Sequence, residues 1–328
     1  MKSTFYFLGL LLLLSTGSVS ATVFRVNNGL TQNTSLGLFN QIQTALDDFK
    51  FKNGDTLMVE SSAIDYRYFT CNKRVVIIGP GYFLGDNIGV NSVAASARLD
   101  FTTSTFSPGS EGSYFIGMEL NVPLSIGASN VYILRCKGGF NFSYSSATPT
   151  SNCKLIDSYC TEIGGSATYN SNISVTNCII GRDNLGSSYL SYDNNILVGK
   201  DYTWQITAGT FRNNILIERD AKVDIRSPNF QNNLAQNQQF GTSNGNITYD
   251  PANLFVGGTS SDGKYRIKST SPYITAGYGG TQPGIFGGSE PYMLSGVPPI
   301  PIIYELNVPG TGSAAAGLQI NVKIRGAN

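Results

Sequence analysis

The sequence predicts an all-β fold wound as a β-solenoid, a stack of parallel coils. The first observation is a returning phrase: Asn177-Cys178-Ile179-Ile180, Asn194-Asn195-Ile196-Leu197, Asn213-Asn214-Ile215-Leu216 and Asn232-Asn233-Leu234-Ala235, at spacings of 17, 19 and 19 residues. A turn leading into a short apolar strand once per ~20 residues cannot bury its apolar face alone and must stack on its neighbours. The second is composition. The 37 glycines and frequent asparagines supply left-handed turn conformations, and Val, Ile, Tyr, Phe and Thr fill the gaps between turns.

The first 21 residues read as a leader outside the fold. Lys2 is a charged start, Phe5 to Leu14 is an apolar run, and Val19-Ser20-Ala21 is a small-x-small cleavage signal. Cleavage is expected after about Ala21, giving a secreted, extracellular or cell-surface protein. No later run of 18 apolar residues occurs, so the chain is not expected to span a membrane. With Lys2 removed, 21 of the 22 basic residues remain against 21 acidic ones. That balance argues against nucleic acid as a partner and against electrostatic membrane docking.

Residues 22 to 28 read as an opening strand. Leu38, Ile42, Ala45, Leu46 and Phe49 share one face at helical spacing, so a helix is expected over about 38–49, with Thr34 or Ser35 capping it and Asn53-Gly54 ending it. Such a helix would cap the open end of the solenoid. Strands follow at Asp55 to Glu60 and Arg74 to Gly79. Coils run from about 56 to 270, interrupted by turn-rich stretches at 101–112, 143–152 and 236–250. The body is therefore 22–297. Residues 298–328 form a separate tail, in which 300–308 and 318–324 can pair as a β-hairpin across a Pro/Gly turn. Closing the carboxyl end of the solenoid is the favoured role for that hairpin.

The order of helix, GDTLMVE, a Tyr-bearing turn and KRVVIIGPGYFLG resembles the amino-terminal part of right-handed parallel β-helix proteins of the pectin-lyase-like type. The segments Ser271 to Ile274, Gly284 to Gly288 and Pro298 to Tyr304 are similar to the closing part of uncharacterised secreted β-helix proteins of Bacteroidetes-type bacteria. The resemblance covers nearly all of the mature chain. It implies the fold and carries no settled activity. In a bacterial protein the N-x-Ser/Thr sequons at Asn33, Asn141, Asn172 and Asn246 have no meaning.

Asn195, Asn214 and Asn233 recur at one point of successive coils. Amides about 4.8 Å apart can bond along the axis, so this ladder is read as structural, with sugar binding by exposed amides as the other reading. Five cysteines are present. Cys136, Cys160 and Cys178 are separated by nearly whole coils and are read as buried stacking residues; a disulfide between Cys153 and Cys160 or Cys136 is the alternative in an exported protein. The chain has no histidine, which excludes Ser-His-Asp and Cys-His catalysis and His-ligated metals. No metal site and no cofactor are expected.

Three basic-acidic dipeptides follow the repeated strands: Arg182-Asp183, Lys200-Asp201 and Arg219-Asp220. One reading is a solvated ladder of weak ion pairs. The other is a ligand site. In β-helix polysaccharide lyases carboxylates on adjacent coils hold calcium and an Arg or Lys removes the proton beside a uronate, so calcium enters only with that reading. Tyr202 and Trp204 lie nearby and can stack on sugar rings. No acidic cluster suited to glycoside hydrolysis stands out; the doublet Asp47-Asp48 falls on the expected helix, where solvation accounts for it. The leading expectation is a non-enzymatic adhesion, glycan-contact or structural protein. A polysaccharide lyase or glycoside hydrolase working along the solenoid is the alternative. A subunit of a cell-surface assembly is the second, and that reading requires an exposed apolar face on residues 300 to 324.

Overall fold

The computed structural model describes residues 21–326 apart from 88, 94, 144, 187, 188, 201, 202 and 314–316. The leader expected over 1–21 lies almost wholly outside the described residues. The chain winds into a parallel β-solenoid of about nine turns. Its two long walls are 12-stranded sheets in which each strand pairs in parallel with those of the coils before and after it. The first sheet contains Val23–Val26, Thr56–Val59, Val76–Ile78, Tyr114–Ile116, Tyr132–Leu134, Lys154–Ile156, Ile173–Thr176, Tyr189–Asp193 and Thr203–Arg212. The second contains Leu124–Ile126, Lys137–Phe142, Tyr159–Gly164 and the short strands Ile179–Ile180, Ile196–Leu197, Ile215–Leu216 and Leu234–Ala235.

Alternation along each strand puts one side chain into the space between the walls and the next outside. The inward column of the first sheet reads Ile77, Phe115, Ile133, Leu155, Val175, Tyr192 and Phe211 on successive rungs. All are fully buried.

The repeated phrase serves two columns. Its first residues, Asn177, Asn194, Asn213 and Asn232, have φ of 52 to 59° and form the left-handed corner between the two sheets, a conformation Asn tolerates better than other side chains. Its second residues point inward. Asn195, Asn214 and Asn233 are fully buried, and each Oδ1 accepts the backbone N–H of the same corner one coil earlier, from Cys178, Asn195 and Asn214, at 2.9 Å. Each Nδ2 donates to a first-sheet carbonyl one coil back, of Val175, Tyr192 or Phe211. Asn246 adds a last rung, accepting from Asn233, and its own Nδ2 has no partner among the described residues.

Cys136 and Cys178 belong to this column, but Cys160 does not. Cys160 pairs with Gly138 and Ile180 inside the second sheet. Ser158 occupies the ladder position instead, its Oγ accepting from the Cys136 N–H at 3.1 Å. Unequal coil lengths hide this shift of two residues. All five cysteines are free and buried, so neither expected disulfide pairing forms.

The α-helix near the amino end is Ile42–Asp47, six residues rather than the expected 38–49. Leu38–Phe39 is instead a strand paired with Val23–Val26, and the residue before the helix is Gln41. The buried residues Ile42, Ala45 and Leu46 join the core beside Phe24 and Phe51, whereas Phe49 is exposed.

The largest departure from expectation lies in the carboxyl-terminal segment. After the last rung, residues 249–297 turn back and run along the outside of the second sheet. Tyr249, Leu254, Ile267, Ile285 and Tyr292 pack on the outward column Ile179, Ile196, Ile215 and Leu234. Both residues of each Ile-Leu step are therefore buried, one under this strap and one between the sheets. The corner asparagines hold the strap: Asn177 Nδ2 donates to the Ile285 and Gly287 carbonyls, Asn194 to Gly284, and Asn232 to Ala276. Asn213 Oδ1 accepts from the Tyr278 N–H. Gly284 has φ of 73°, and a Cβ there would approach Ile215 Cδ1 to 2.7 Å. Gly284→Ala is expected to lower stability by about 1–3 kcal/mol, read as a drop in thermal midpoint.

Further on, the strap reaches the early coils. Asp262 is fully buried. Its Oδ1 accepts from Asn87 at 2.8 Å, and its Oδ2 accepts from the Ser295 N–H at 2.7 Å. Tyr292 also donates to Asp262 and shares a hydrogen bond with Tyr82. The hairpin, Ile302–Asn307 with Asn321–Arg325, then lies beside the amino-terminal coils, where Ser92 donates to the Ile303 carbonyl and Arg325 to the Val90 carbonyl. It does not close the carboxyl end of the solenoid.

Candidate functional site

The three charged dipeptides do not form one stripe. Ile179 pairs with Ile196, and Ile196 with Ile215, so Lys200 stands level with Arg219, but it is Asp183, not Arg182, that stands level with Lys200. A one-residue offset turns a side chain to the opposite face. Asp183 is buried, accepting from the Leu185 and Gly186 N–H groups and from the Tyr189 hydroxyl at 2.7 Å. Arg182 lies outside and bonds Asn184. Lys200, Arg219 and Asp220 come together, with Thr203, Glu218 and Lys222, around an open pocket of about 480 Å³. Lys200 is 3.7 Å from Glu218. Asp201 and Tyr202 lie outside the described residues. Trp204 is fully buried in the core and offers no face to a ligand.

Burial raises the pKa of Asp183 to about 6, against the hydrogen bonds from Tyr189 and the backbone. Burial likewise raises Asp157 to about 7, despite the Arg135 guanidinium 3.5 Å away. A raised carboxyl binds its proton more tightly in the folded chain than in the unfolded one. The stability from these two groups is full below their ordinary value of 3.8, falls as pH rises, and is flat above about 7. Asp157→Asn is expected to flatten the decline between about pH 6 and 7, read as the urea midpoint of variant and wild type across that range.

A second surface with binding chemistry, not anticipated from the charged dipeptides, is the outward face of the first sheet. One column there reads Tyr114, Tyr132, Lys154, Ser174, Ser191 and Thr210 on six successive rungs. Tyr114 and Tyr132 are stacked, with centroids 4.7 Å apart and planes 19° apart, and the Lys154 ammonium lies 5.8 Å from the Tyr132 ring centre. The neighbouring column reads Thr176, Asp193 and Arg212. The strap forms one rim. Tyr278 lies 5.2 Å from the Arg212 guanidinium, and Glu290 borders a groove of about 410 Å³ with Lys154, Ser174, Ser191, Asp193 and Arg212.

Within that groove Asp193 is fully engaged, accepting from the Thr210 hydroxyl at 2.9 Å, the Arg212 N–H at 2.9 Å and Arg212 Nη2 at 3.1 Å. Asp157 and Asp183, whose raised pKa values would suit proton transfer, are buried and do not border the groove. Among the described residues no group of three or more Cys, Asp or Glu side chains is placed to hold a metal ion. No helix among them is long and apolar enough to cross a membrane. The signal for this face was present in the sequence as Tyr114, Tyr132 and Lys154. Their gaps of 18 and 22 residues concealed that they share a column.

No family model, no curated protein and no solved structure matches this chain.

Proposed function

We propose that this is an exported, bacterial pectin-lyase-like β-helix, wound right-handed as parallel crossovers almost always are, that contacts glycan chains along the outer face of its first sheet without cleaving them. The observation that carries this reading is the part-exposed Tyr114–Tyr132 stack on the outer face, continued rung by rung into Lys154, Ser174 and Ser191. Aromatic faces receive the C–H faces of sugar rings. Hydroxyl, ammonium and guanidinium groups in line with them bond sugar hydroxyls at a spacing set by the rungs, about 4.8 Å. A linear polysaccharide lying along the solenoid axis meets both kinds of contact. The engagement of Asp193 supports binding over turnover, because a general base must reach the proton it removes.

The test is a glycan array run beside assays for new reducing ends and unsaturated products, with and without calcium. Selective binding with no product is expected. Tyr132→Ala should weaken that binding by about tenfold or more, equivalent to ~1.4 kcal/mol, with a stability loss of no more than about 1 kcal/mol, because the ring lies outside the core and gives up only its cross-strand contacts with Tyr114 and Lys154. Product release from any polyuronate would overturn the reading in favour of a lyase.

A further inference from the structure

The hairpin leaves one apolar face uncovered. Paired residues in an antiparallel ladder share a face. Ile302 with Arg325, Glu305 with Lys323 and Asn307 with Asn321 form the polar face, on which Arg325 bonds the body and Lys323 pairs with Glu305 at 2.6 Å. Ile303 with Ile324 and Leu306 with Val322 form the other face, continued by Val308 and Ile320. These six aliphatic side chains are 40 to 65% exposed, and none of them carries a charge. A two-stranded hairpin is marginal in water by itself, so an entirely aliphatic outer face is a cost unless something covers it.

We propose that a second copy of this chain covers it, hairpin on hairpin, about a two-fold axis lying between the two apolar faces. Three features select that partner. The face leaves on the order of 600 Å² of apolar surface, already the size of the largest patch on an ordinary monomer, and two such faces reach the lower bound, about 1,200 Å², of a specific interface. Charge does not oppose association: with Lys2 gone, 21 basic residues balance 21 acidic ones, and the face itself has nothing to pair with a charged partner. The face is also uniform in chemistry on both strands, with Ile303 and Leu306, set apart by the bulge at Tyr304, opposite Ile324 and Val322, so a copy of itself offers it the like surface an isologous contact requires. A lipid surface fits less well. Lys323 and Arg325, the basic groups of the hairpin's second strand, lie on the opposite face, where they cannot reach headgroups while the aliphatic side chains insert.

The test is sedimentation velocity of the mature full-length chain over a concentration series. A monomer–dimer equilibrium in the micromolar range is expected. Val322→Glu combined with Ile324→Glu should raise the dissociation constant by at least tenfold with the same thermal midpoint, while Lys323→Glu, on the polar face, should leave the equilibrium unchanged. A single Val322→Cys, in a chain whose own thiols are all buried, should form an intermolecular disulfide across the axis. Two results overturn the proposal: wild type that stays monomeric to the highest concentration, or a dimer that survives the double substitution. Co-sedimentation of wild type, and not of the double variant, with phosphatidylcholine vesicles would overturn it in favour of a lipid surface.

Discussion

Asn214→Ala should cost about 3–5 kcal/mol, read as a fall in urea midpoint at constant slope. The side chain is fully buried. Its Oδ1 is the acceptor for both the backbone N–H and the Nδ2 of Asn195, and its Nδ2 donates to Tyr192 O at 2.7 Å. Truncation orphans these groups in a fully buried column, and each buried unsatisfied group costs about 1–3 kcal/mol. Asn214→Asp should be no better, since a carboxylate cannot donate to Tyr192 O and brings a charge into the core. Asn214→Ser should be milder, because Ser158 already fills the equivalent place beside Cys136. Asn229→Ala provides the control. Its amide also reaches a backbone carbonyl, of Gly209, but at an exposed site, where the loss should stay within about 0.5 kcal/mol.

Ile285→Asp should have an effect of similar size by a different route. Ile285 is fully buried and sits in the cluster formed by the strap and the column Ile179, Ile196, Ile215 and Leu234. A carboxylate has no cationic partner in that cluster, so it costs about 4 kcal/mol or more or expels the strap. Expulsion would uncover four aliphatic side chains on the second sheet. It should appear as binding of a hydrophobic dye and as new protease cuts between residues 255 and 297, with the far-ultraviolet signal of the coils largely kept. Ile285→Val, which keeps the apolar contact, should cost about 1 kcal/mol. If Ile285→Asp leaves dye binding and cleavage at the wild-type level, the strap does not protect that column.

The coils were legible because their determinant is local and repeated. A left-handed corner favours Asn, the next position needs an amide that both accepts and donates, and the two strand residues after it are apolar, so the phrase Asn-Asn-Ile-Leu records all three demands. Coil length was not legible. The ladder residues Cys136, Ser158, Cys178, Asn195, Asn214, Asn233 and Asn246 are separated by between 22 and 13 residues, and this unevenness misplaced Cys160 and the pair Arg182-Asp183. The expected helix lost its first turn to strand pairing, as Leu38–Phe39 found a partner in Val23–Val26. The strap was illegible for another reason. Its hydrogen bonds to the coils join residues between 33 and 212 positions apart, made by irregular backbone whose sequence carries no period. The second apolar residue in every repeat was its only trace, for a strand with one wet face has no need of two.

One solenoid runs from end to end, and the chain after it returns along the outside to the beginning. Double electron–electron resonance between spin labels tests this directly, with labelled protein diluted in unlabelled chains. One label sits at Asn307 on the polar face of the hairpin, and the second at either Ser61 or Lys222. Ser61 borders the hollow beneath the hairpin, while the strand beginning at Lys222 lies eight sheet neighbours beyond that of Thr56–Val59, roughly 38 Å along the axis at about 4.8 Å per rung. A short distance to Ser61 and a distance longer by about that amount to Lys222 are expected. The reverse order would place the hairpin at the carboxyl end and contradict the account.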